Sequence, residues 1–144
     1  MNSRTLWNDN WYFAKTALGV NWEDRTLWER EMQPADLPHD WLIYQGDNLY
    51  EDSTGWYRKV FTCERKDNTC YEIYFEGVYM DTTVYLNGQV LGEWKYGYCS
   101  FFFDMTPLLR AGENELLVRV NYQAPNSRWY SGAGIYRNVY IRKI

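Results

Sequence analysis

The carboxylates of Glu72, Glu76 and Asp81 are the first candidates for chemistry in this sequence. They fall in a stretch where apolar and polar residues alternate, so Glu72 and Glu76 share one face of a predicted strand. Two carboxylates are the minimum that hydrolysis of a glycosidic bond requires. Charges on the solvated face of a strand give the same pattern, and this interpretation explains the positions at least as well.

His39 is the only histidine in the chain, so a Ser-His-Asp or Cys-His arrangement would have to be built on it. It lies in a tight turn, Leu37-Pro38-His39-Asp40-Trp41, between bulky apolar residues. This position predicts a structural histidine tied to the backbone rather than a catalytic base. A metal centre of several histidines is excluded, and we expect no metal and no cofactor.

The cysteines Cys63, Cys70 and Cys99 form no CxxC pair, so they indicate neither a zinc site nor a disulfide framework. Cys63 and Cys70 could face each other if their segments formed a hairpin around Arg65–Asn68. Residues 1–20 show no charged segment followed by an apolar core, as a secretory signal would. We therefore expect reduced thiols and a cytoplasmic location.

Arg128, Trp129 and Tyr130 form a third cluster, next to the glycines of Gly132-Ala133-Gly134. Two large aromatic rings beside a guanidinium can stack on a sugar face and donate to its hydroxyls. A loop pinned by burying its aromatic residues is the alternative interpretation. A phosphate-binding loop is excluded, because Arg137 takes the place of the third glycine and a strand pattern follows instead of a helix.

The composition excludes some classes of binding partner. Fifteen basic and 19 acidic residues give the chain a net charge of −4. A nucleic-acid-binding protein requires a basic surface, so we expect no nucleic-acid partner. No apolar stretch approaches the 18 residues of a membrane span, so we expect no membrane partner. The 8 Trp, 14 Tyr and 6 Phe residues make 19% of the chain. Such residues favour strands, and most of them are expected in the core of a β-sandwich.

The elements that must position these residues are predicted strands separated by turns. Asn87-Gly88 lies between two apolar runs and predicts a hairpin with a type I′ turn. A short helix is possible within Asn21–Met32, with Asn21 as its cap. Extended segments are predicted at Leu6–Lys15, Tyr71–Glu76, Thr82–Leu86, Tyr98–Asp104, Leu116–Tyr122 and Ile135–Arg142, and loops at Pro34, Pro38 and Gly46–Gly55. The sequence therefore predicts one all-β sandwich or jelly roll.

Seven motifs in order carry a resemblance to a known family. They are Leu37–Trp41 (LPHDW), Gly55–Lys59 (GWYRK), Phe75–Val78 (FEGV), Val84–Gly88 (VYLNG), Phe101–Thr106, Gly112–Val120 and Arg128–Arg137 (RWYSGAGIYR). Together they resemble the N-terminal sugar-binding domain of glycoside hydrolase family 2, which includes β-galactosidases, β-glucuronidases and β-mannosidases. The resemblance runs from about Leu6 to Ile144.

The resemblance implies a galactose-binding-domain-like jelly roll over residues 1–144, followed in the family by an immunoglobulin-like domain and a (β/α)8 barrel. The family's two catalytic glutamates belong to that barrel, one of them in an Asn-Glu-Pro-like motif. The Asn-Glu pair of this chain, Asn114-Glu115, lies instead at a turn before a strand. By resemblance, this chain is a non-catalytic piece of a retaining exo-β-glycosidase, most similar to a β-galactosidase, and carries no catalytic residue.

The resemblance also implies substrate-binding residues. Some loops of the family's domain reach the active site, and galactosidases and glucuronidases often carry a sugar-binding Asp seven residues before the isoleucine of the last motif. Arg128 stands there in this chain, beside Trp129 and Tyr130, and it can only donate. A second family loop corresponds to Gln45–Ser53, where Asn48 and Tyr50 are the candidates. A free-standing carbohydrate-binding module and a purely structural domain remain as alternatives, and the expected partners are a β-glycoside and the downstream domains.

Overall fold

A computed structural model of the chain describes residues 3–40, 53–79, 81–95, 100–122 and 134–144. These residues form strands and one short helix. The strands are β1 (Ser3–Leu6), β2 (Trp11–Thr16), β3 (Gln33–Ala35), β4 (Ser53–Cys63), β5 (Tyr71–Phe75), β6 (Asp81–Leu86), β7 (Gln89–Trp94), β8 (Phe101–Asp104), β9 (Gly112–Tyr122) and β10 (Val139–Lys143), and the helix is α1 (Arg25–Glu29). The predicted all-β class is confirmed.

The strands make two sheets that face each other as a sandwich. One sheet has four strands in the order β1-β10-β5-β8, and the other has six in the order β3-β2-β4-β9-β6-β7. Every strand pairing within the described residues is antiparallel. Most successive strands lie in opposite sheets, so the chain repeatedly crosses from one layer to the other.

The main core lies between the two sheets and follows from the alternation of each strand. Tyr71, Ile73 and Phe75 of β5 are buried, while Glu72 and Tyr74 between them are partly exposed. This is the pattern expected of a strand with one face against a core. The six-stranded sheet contributes Tyr57, Val84 and other inward-facing residues to the same cluster.

A second, smaller apolar cluster lies on the outer face of the six-stranded sheet. Trp28 of α1 stacks on Trp56 of β4 with ring centroids 5.5 Å apart, above Tyr85 and Leu117. Because α1 covers this face, Trp56 and its neighbour Tyr57 are both 0% exposed although they point in opposite directions. The Gly55–Lys59 motif therefore places one buried aromatic ring on each face of β4.

The predicted hairpin at Asn87-Gly88 is confirmed. Both residues have positive φ angles, 52° and 77°, as a type I′ turn requires, and β6 pairs with β7 on either side. The Asn87 side chain also donates to the Leu108 carbonyl at 2.9 Å and accepts from the Glu115 N–H at 2.9 Å. The turn therefore fixes two neighbouring segments as well as its own strands.

The hairpin that would have let Cys63 and Cys70 face each other does not form, because β4 and β5 belong to different sheets, and both thiols are free. Some other local predictions were wrong. Asn21 does not cap the helix, since it accepts from the Glu23 N–H and Asp24 occupies the N-cap. Pro34 lies in the short edge strand β3, where a missing N–H is tolerated. The last strand begins at Val139 rather than Ile135.

Candidate functional site

One end of the sandwich, called the loop end here, is where β4 and β6 begin and β7 and β9 end. Ser53 pairs with Tyr122, Asp81 pairs with Asn121 and Thr82 pairs with Trp94. Antiparallel pairing thus brings to one edge the described residues that flank positions 41–52, 96–99 and 123–133.

Backbone hydrogen bonds fix the flanking residues to one another at this end. Tyr79 and Gly134 exchange two bonds of 2.9 and 2.8 Å between their backbone N–H and C=O groups. The N–H of His39 donates to the Ile135 carbonyl at 2.7 Å. Gly134 has a φ angle of 121°, a conformation that a residue with a β-carbon rarely adopts. The residues before position 41 and those after position 133 are therefore held side by side.

Tyr57 joins these two flanks from inside the core. Its hydroxyl oxygen lies 2.7 Å from Nδ1 of His39, and the Ile135 N–H donates to the same oxygen at 3.4 Å. Burial lowers the pKa of His39 below its usual value, against a smaller opposing effect of Asp40. The imidazole also packs on Phe13 at 4.6 Å between ring centroids. His39 is thus a neutral, structural residue at neutral pH, held through its backbone N–H by Ile135 and through Nδ1 by Tyr57.

Buried hydroxyl groups lie at the loop end of the six-stranded sheet. Ser53, Thr54, Thr82 and Thr83 are all at most 3% exposed. Thr54 Oγ1 donates to Asn121 Oδ1 at 2.7 Å, and the Arg119 guanidinium donates to Thr83 Oγ1 at 3.0 Å. Sequence analysis missed this polar layer. The signal was available, because serine and threonine replace apolar residues where β4 and β6 begin.

The predicted substrate-binding residues Asn48, Tyr50, Arg128, Trp129 and Tyr130 lie outside the described residues. Asn48 and Tyr50 fall in the interval between Asp40 and Ser53. Arg128, Trp129 and Tyr130 fall in the interval between Tyr122 and Gly134. The intervals that contain all five are therefore flanked by residues of the loop end.

The three carboxylates that opened the sequence analysis are not brought together. Glu72 lies on the outer face of the four-stranded sheet and pairs with Arg142 at 2.9 Å. Glu76 follows the end of β5 in the same layer, whereas Asp81 begins β6 in the other sheet. The solvated-face interpretation of Glu72 fits its position and its ion pair.

Glu115 is the acidic residue with the largest set of ion pairs among the described residues. Its carboxylate accepts from Arg25 at 2.8 and 2.7 Å and from Arg58 at 2.5 Å. The hydrogen bonds from Arg25, helped by those from Arg58, lower the pKa of Glu115 despite partial burial. A carboxylate held by two guanidinium groups stays charged and has a structural role, which links α1 to β4 and β9.

The described part of the chain contains no group of three or more His, Cys, Asp or Glu side chains placed to hold a metal ion. Its one helix is too short to cross a bilayer.

Residues 15–144 match the family described as glycosyl hydrolases family 2, sugar binding domain. The match covers most of the chain. The chain belongs to this family.

Relatives of this family 2 sugar-binding domain include both galactosidases and glucuronidases. It is 46% identical over 129 residues to the β-galactosidase BoGH2A of Bacteroides ovatus, and the alignment covers 80% of this chain and 15% of that protein. It is 32% identical over 170 residues to a β-glucuronidase of Formosa agariphila, and the alignment covers 97% of this chain and 17% of that relative. The chain thus spans less than a fifth of the length of either protein.

Solved structures share the fold of the family 2 domain. A glycosyl hydrolase family 2 member from Bacteroides cellulosilyticus superposes with a TM-score of 0.83 and 30% identity over 97% of this chain and 20% of that chain. The β-glucuronidase 2 of Bacteroides uniformis superposes with a TM-score of 0.83 and 26% identity, and the superposition covers 100% of this chain and 18% of the β-glucuronidase chain. The resemblance stated from the motifs is confirmed.

Proposed function

We propose that this domain is the non-catalytic sugar-binding domain of a retaining exo-β-glycosidase similar to β-galactosidases, and that its loop end contributes residues to the rim of the active site. One observation carries the proposal: the residues that flank positions 41–52 and those that flank positions 123–133 lie together at one end of a family 2 domain. The 46% identity to a β-galactosidase supports the substrate class. The downstream immunoglobulin-like and barrel domains, and the β-glycoside itself, are the partners in this proposal.

Arg128, Trp129 and Tyr130 would contact the sugar from the interval 123–133. A guanidinium carries five N–H donors and no acceptor, so Arg128 would donate to ring hydroxyls or to the carboxylate of an acidic sugar. The two rings would stack on the apolar face of the pyranose. Asn48 and Tyr50 would add an amide and a phenol from the second interval. These roles give specificity at the rim and leave bond cleavage to another domain.

The described carboxylates support a non-catalytic role for this chain. A retaining mechanism needs two carboxyl groups about 5–5.5 Å apart, one of them available as an acid. Glu72 is paired with Arg142, and Glu115 is held by Arg25 and Arg58. We further propose that the protein works in the cytoplasm, which agrees with the free thiols of Cys63 and Cys70.

The test compares the complete polypeptide with the 144-residue chain on chromogenic β-galactoside, β-glucuronide and β-mannoside substrates. We expect the complete enzyme to hydrolyse the β-galactoside with the highest kcat/KM and the isolated chain to show no turnover. Turnover by the purified chain that disappears on Glu72→Gln or Glu76→Gln would contradict the non-catalytic role. A preference of the complete enzyme for the β-glucuronide would overturn the assigned substrate class.

A further inference from the structure

A cavity of about 400 Å³ opens between the two sheets, and none of the described loop-end residues Ser53, Asp81, Trp94 and Tyr122 lines it. Its walls come from β1 and β10 of one sheet and from the end of β4 in the other. β4 begins with Ser53 at the loop end, and its last residues, Phe61 to Cys63, line this cavity. The volume falls in the range of about 300–1,000 Å³ that small-molecule sites occupy. We call it the inter-sheet cavity.

Three aromatic rings form the floor of the inter-sheet cavity. Trp7 and Phe61 are partly exposed, with ring centroids 4.6 Å apart, and Tyr71, which is 2% exposed, lines the same cavity. Trp7 and Phe61 pack against the main core, so the floor is continuous with the rigid interior. Partly exposed aromatic rings supported by a core provide the apolar surface on which a pyranose ring stacks.

Trp7 is fixed in place before any ligand binds. The backbone N–H of Trp7 donates to the Val139 carbonyl at 2.7 Å, and the backbone carbonyl of Trp7 accepts from the Trp11 indole N–H at 2.7 Å. The ammonium of Lys59 lies 5.3 Å from the centre of the Trp7 ring and donates to the Asp9 carbonyl at 2.6 Å. A ring held in this way loses little conformational freedom on binding, which favours affinity.

Polar groups surround this floor. The hydroxyls of Thr5, Thr62 and Thr69 and the charged side chains of Glu64, Lys66 and Lys143 complete the lining. Hydroxyl groups both donate and accept, ammonium groups donate and the carboxylate accepts. An apolar floor with a mixed rim matches a ligand that has one apolar face and hydroxyl groups around its edge.

We propose that the inter-sheet cavity is a second saccharide-binding site, sized for a mono- or disaccharide and separate from the loop end. The proposal rests on the cavity and its lining and not on the proposed function of the loop end. Because this cavity lies at the opposite end of β4 from Ser53, it would hold a sugar apart from the one that the loop end contacts. Its role would be to retain a carbohydrate on the domain.

The first experiment is an amide NMR titration of the 144-residue chain with lactose and with methyl β-galactoside. We expect shifts at Thr5, Thr69 and Lys143, with a Kd near 1 mM, an affinity typical of weak sugar binding. Phe61→Ala should weaken binding at least fivefold. The matched control is Phe102→Ala, because Phe102 is 53% exposed on the outer face of the four-stranded sheet. This substitution should leave the Kd unchanged.

The second experiment uses the half-buried thiol of Cys63, which lines the cavity. In a Cys70→Ser, Cys99→Ser background, saturating lactose should slow alkylation of Cys63 by N-ethylmaleimide several-fold, and this needs no change to the aromatic floor. Unchanged alkylation together with shifts confined to the loop end would overturn the second site while supporting the first. Equal effects of Phe61→Ala and Phe102→Ala would overturn it as well.

Discussion

At the scale of single residues, Glu115 holds together three segments that are distant in sequence. Its partners Arg25 and Arg58 lie 90 and 57 positions away. Hydrogen bonds to charged groups contribute about 1.5–3 kcal/mol each, and the pair with Arg25 is discounted because that side chain is 40% exposed. No sequence pattern could predict this contact, because the residues meet only when α1 folds onto the six-stranded sheet.

We expect Glu115→Gln to lower the free energy of unfolding by about 1–3 kcal/mol. The matched control is Glu29→Gln, which breaks an exposed i,i+4 pair with Arg25 and should cost at most about 0.5 kcal/mol. Urea denaturation at pH 7 measures both. The pKa of Glu115 is lower in the folded chain than in the unfolded chain. The ion pairs of Glu115 therefore contribute fully to the free energy of unfolding above the pKa of the unfolded chain, and this contribution is lost as the pH falls through the pKa of the folded chain. Equal losses in the two variants would contradict the structural role.

His39 gives a pH dependence in a different window. Burial lowers its folded pKa, so the unfolded chain binds the proton first as pH falls below about 6.5. Because His39 is the only histidine, we expect the Tm of the wild type to fall between pH 7.5 and 5.5. The slope in this window should flatten in His39→Gln. Parallel slopes in the two proteins would show that His39 is not a buried neutral residue.

At the scale of elements, α1 is stable because of what it covers. A helix of five residues, without a side-chain cap, is too short to form alone. Trp28 is its buried residue, stacked on Trp56, and its indole N–H donates to the Trp22 carbonyl at 2.9 Å. The helix therefore depends on one side chain inserted into the outer apolar cluster.

This dependence predicts that Trp28→Ala lowers the free energy of unfolding by about 3–5 kcal/mol, the usual cost of removing a buried aromatic ring. Leu27→Ala is the adjacent control, because Leu27 is 52% exposed and should change stability by at most about 0.5 kcal/mol. Thermal melts of the two variants compare them directly. A Trp28→Ala protein as stable as Leu27→Ala would mean that α1 does not seal the sheet.

The elements that could be predicted from the sequence are those determined locally. Asn87-Gly88 predicts its hairpin because positive φ angles at both turn positions suit these two residues. The alternation of Tyr71, Ile73 and Phe75 predicts β5 in the same way. Whether the segments around Arg65–Asn68 form a hairpin could not be predicted, because a turn signal does not tell whether the next strand joins the same sheet; β5 joins the other sheet. The burial of Trp56 on the outer face also depends on α1, which its own strand pattern does not reveal.

At the scale of the whole molecule, the sandwich places the two proposed sites at different ends. One end gathers the flanking residues of 41–52 and 123–133, fixed by His39, Tyr57, Tyr79 and Gly134. The other end holds the inter-sheet cavity. The family and fold were predictable because seven motifs occur in the expected order. The contacts of Arg128 with a sugar remain a prediction, because they require a substrate and a second domain.

The most direct test of the loop-end proposal is the kcat/KM of Arg128→Ala in the complete enzyme with its β-galactoside substrate. Loss of one hydrogen bond from a charged donor to the sugar costs about 1.5–3 kcal/mol, so we expect kcat/KM to fall about ten- to hundred-fold. Arg30→Ala, an exposed arginine beside α1, is the control and should leave kcat/KM unchanged. The Tm of Arg128→Ala should stay within about 1 °C of the wild type, since no loss of packing is expected. Unaltered kinetics would contradict the proposal by placing Arg128 away from the substrate, and a large drop in Tm would make Arg128 a structural residue instead.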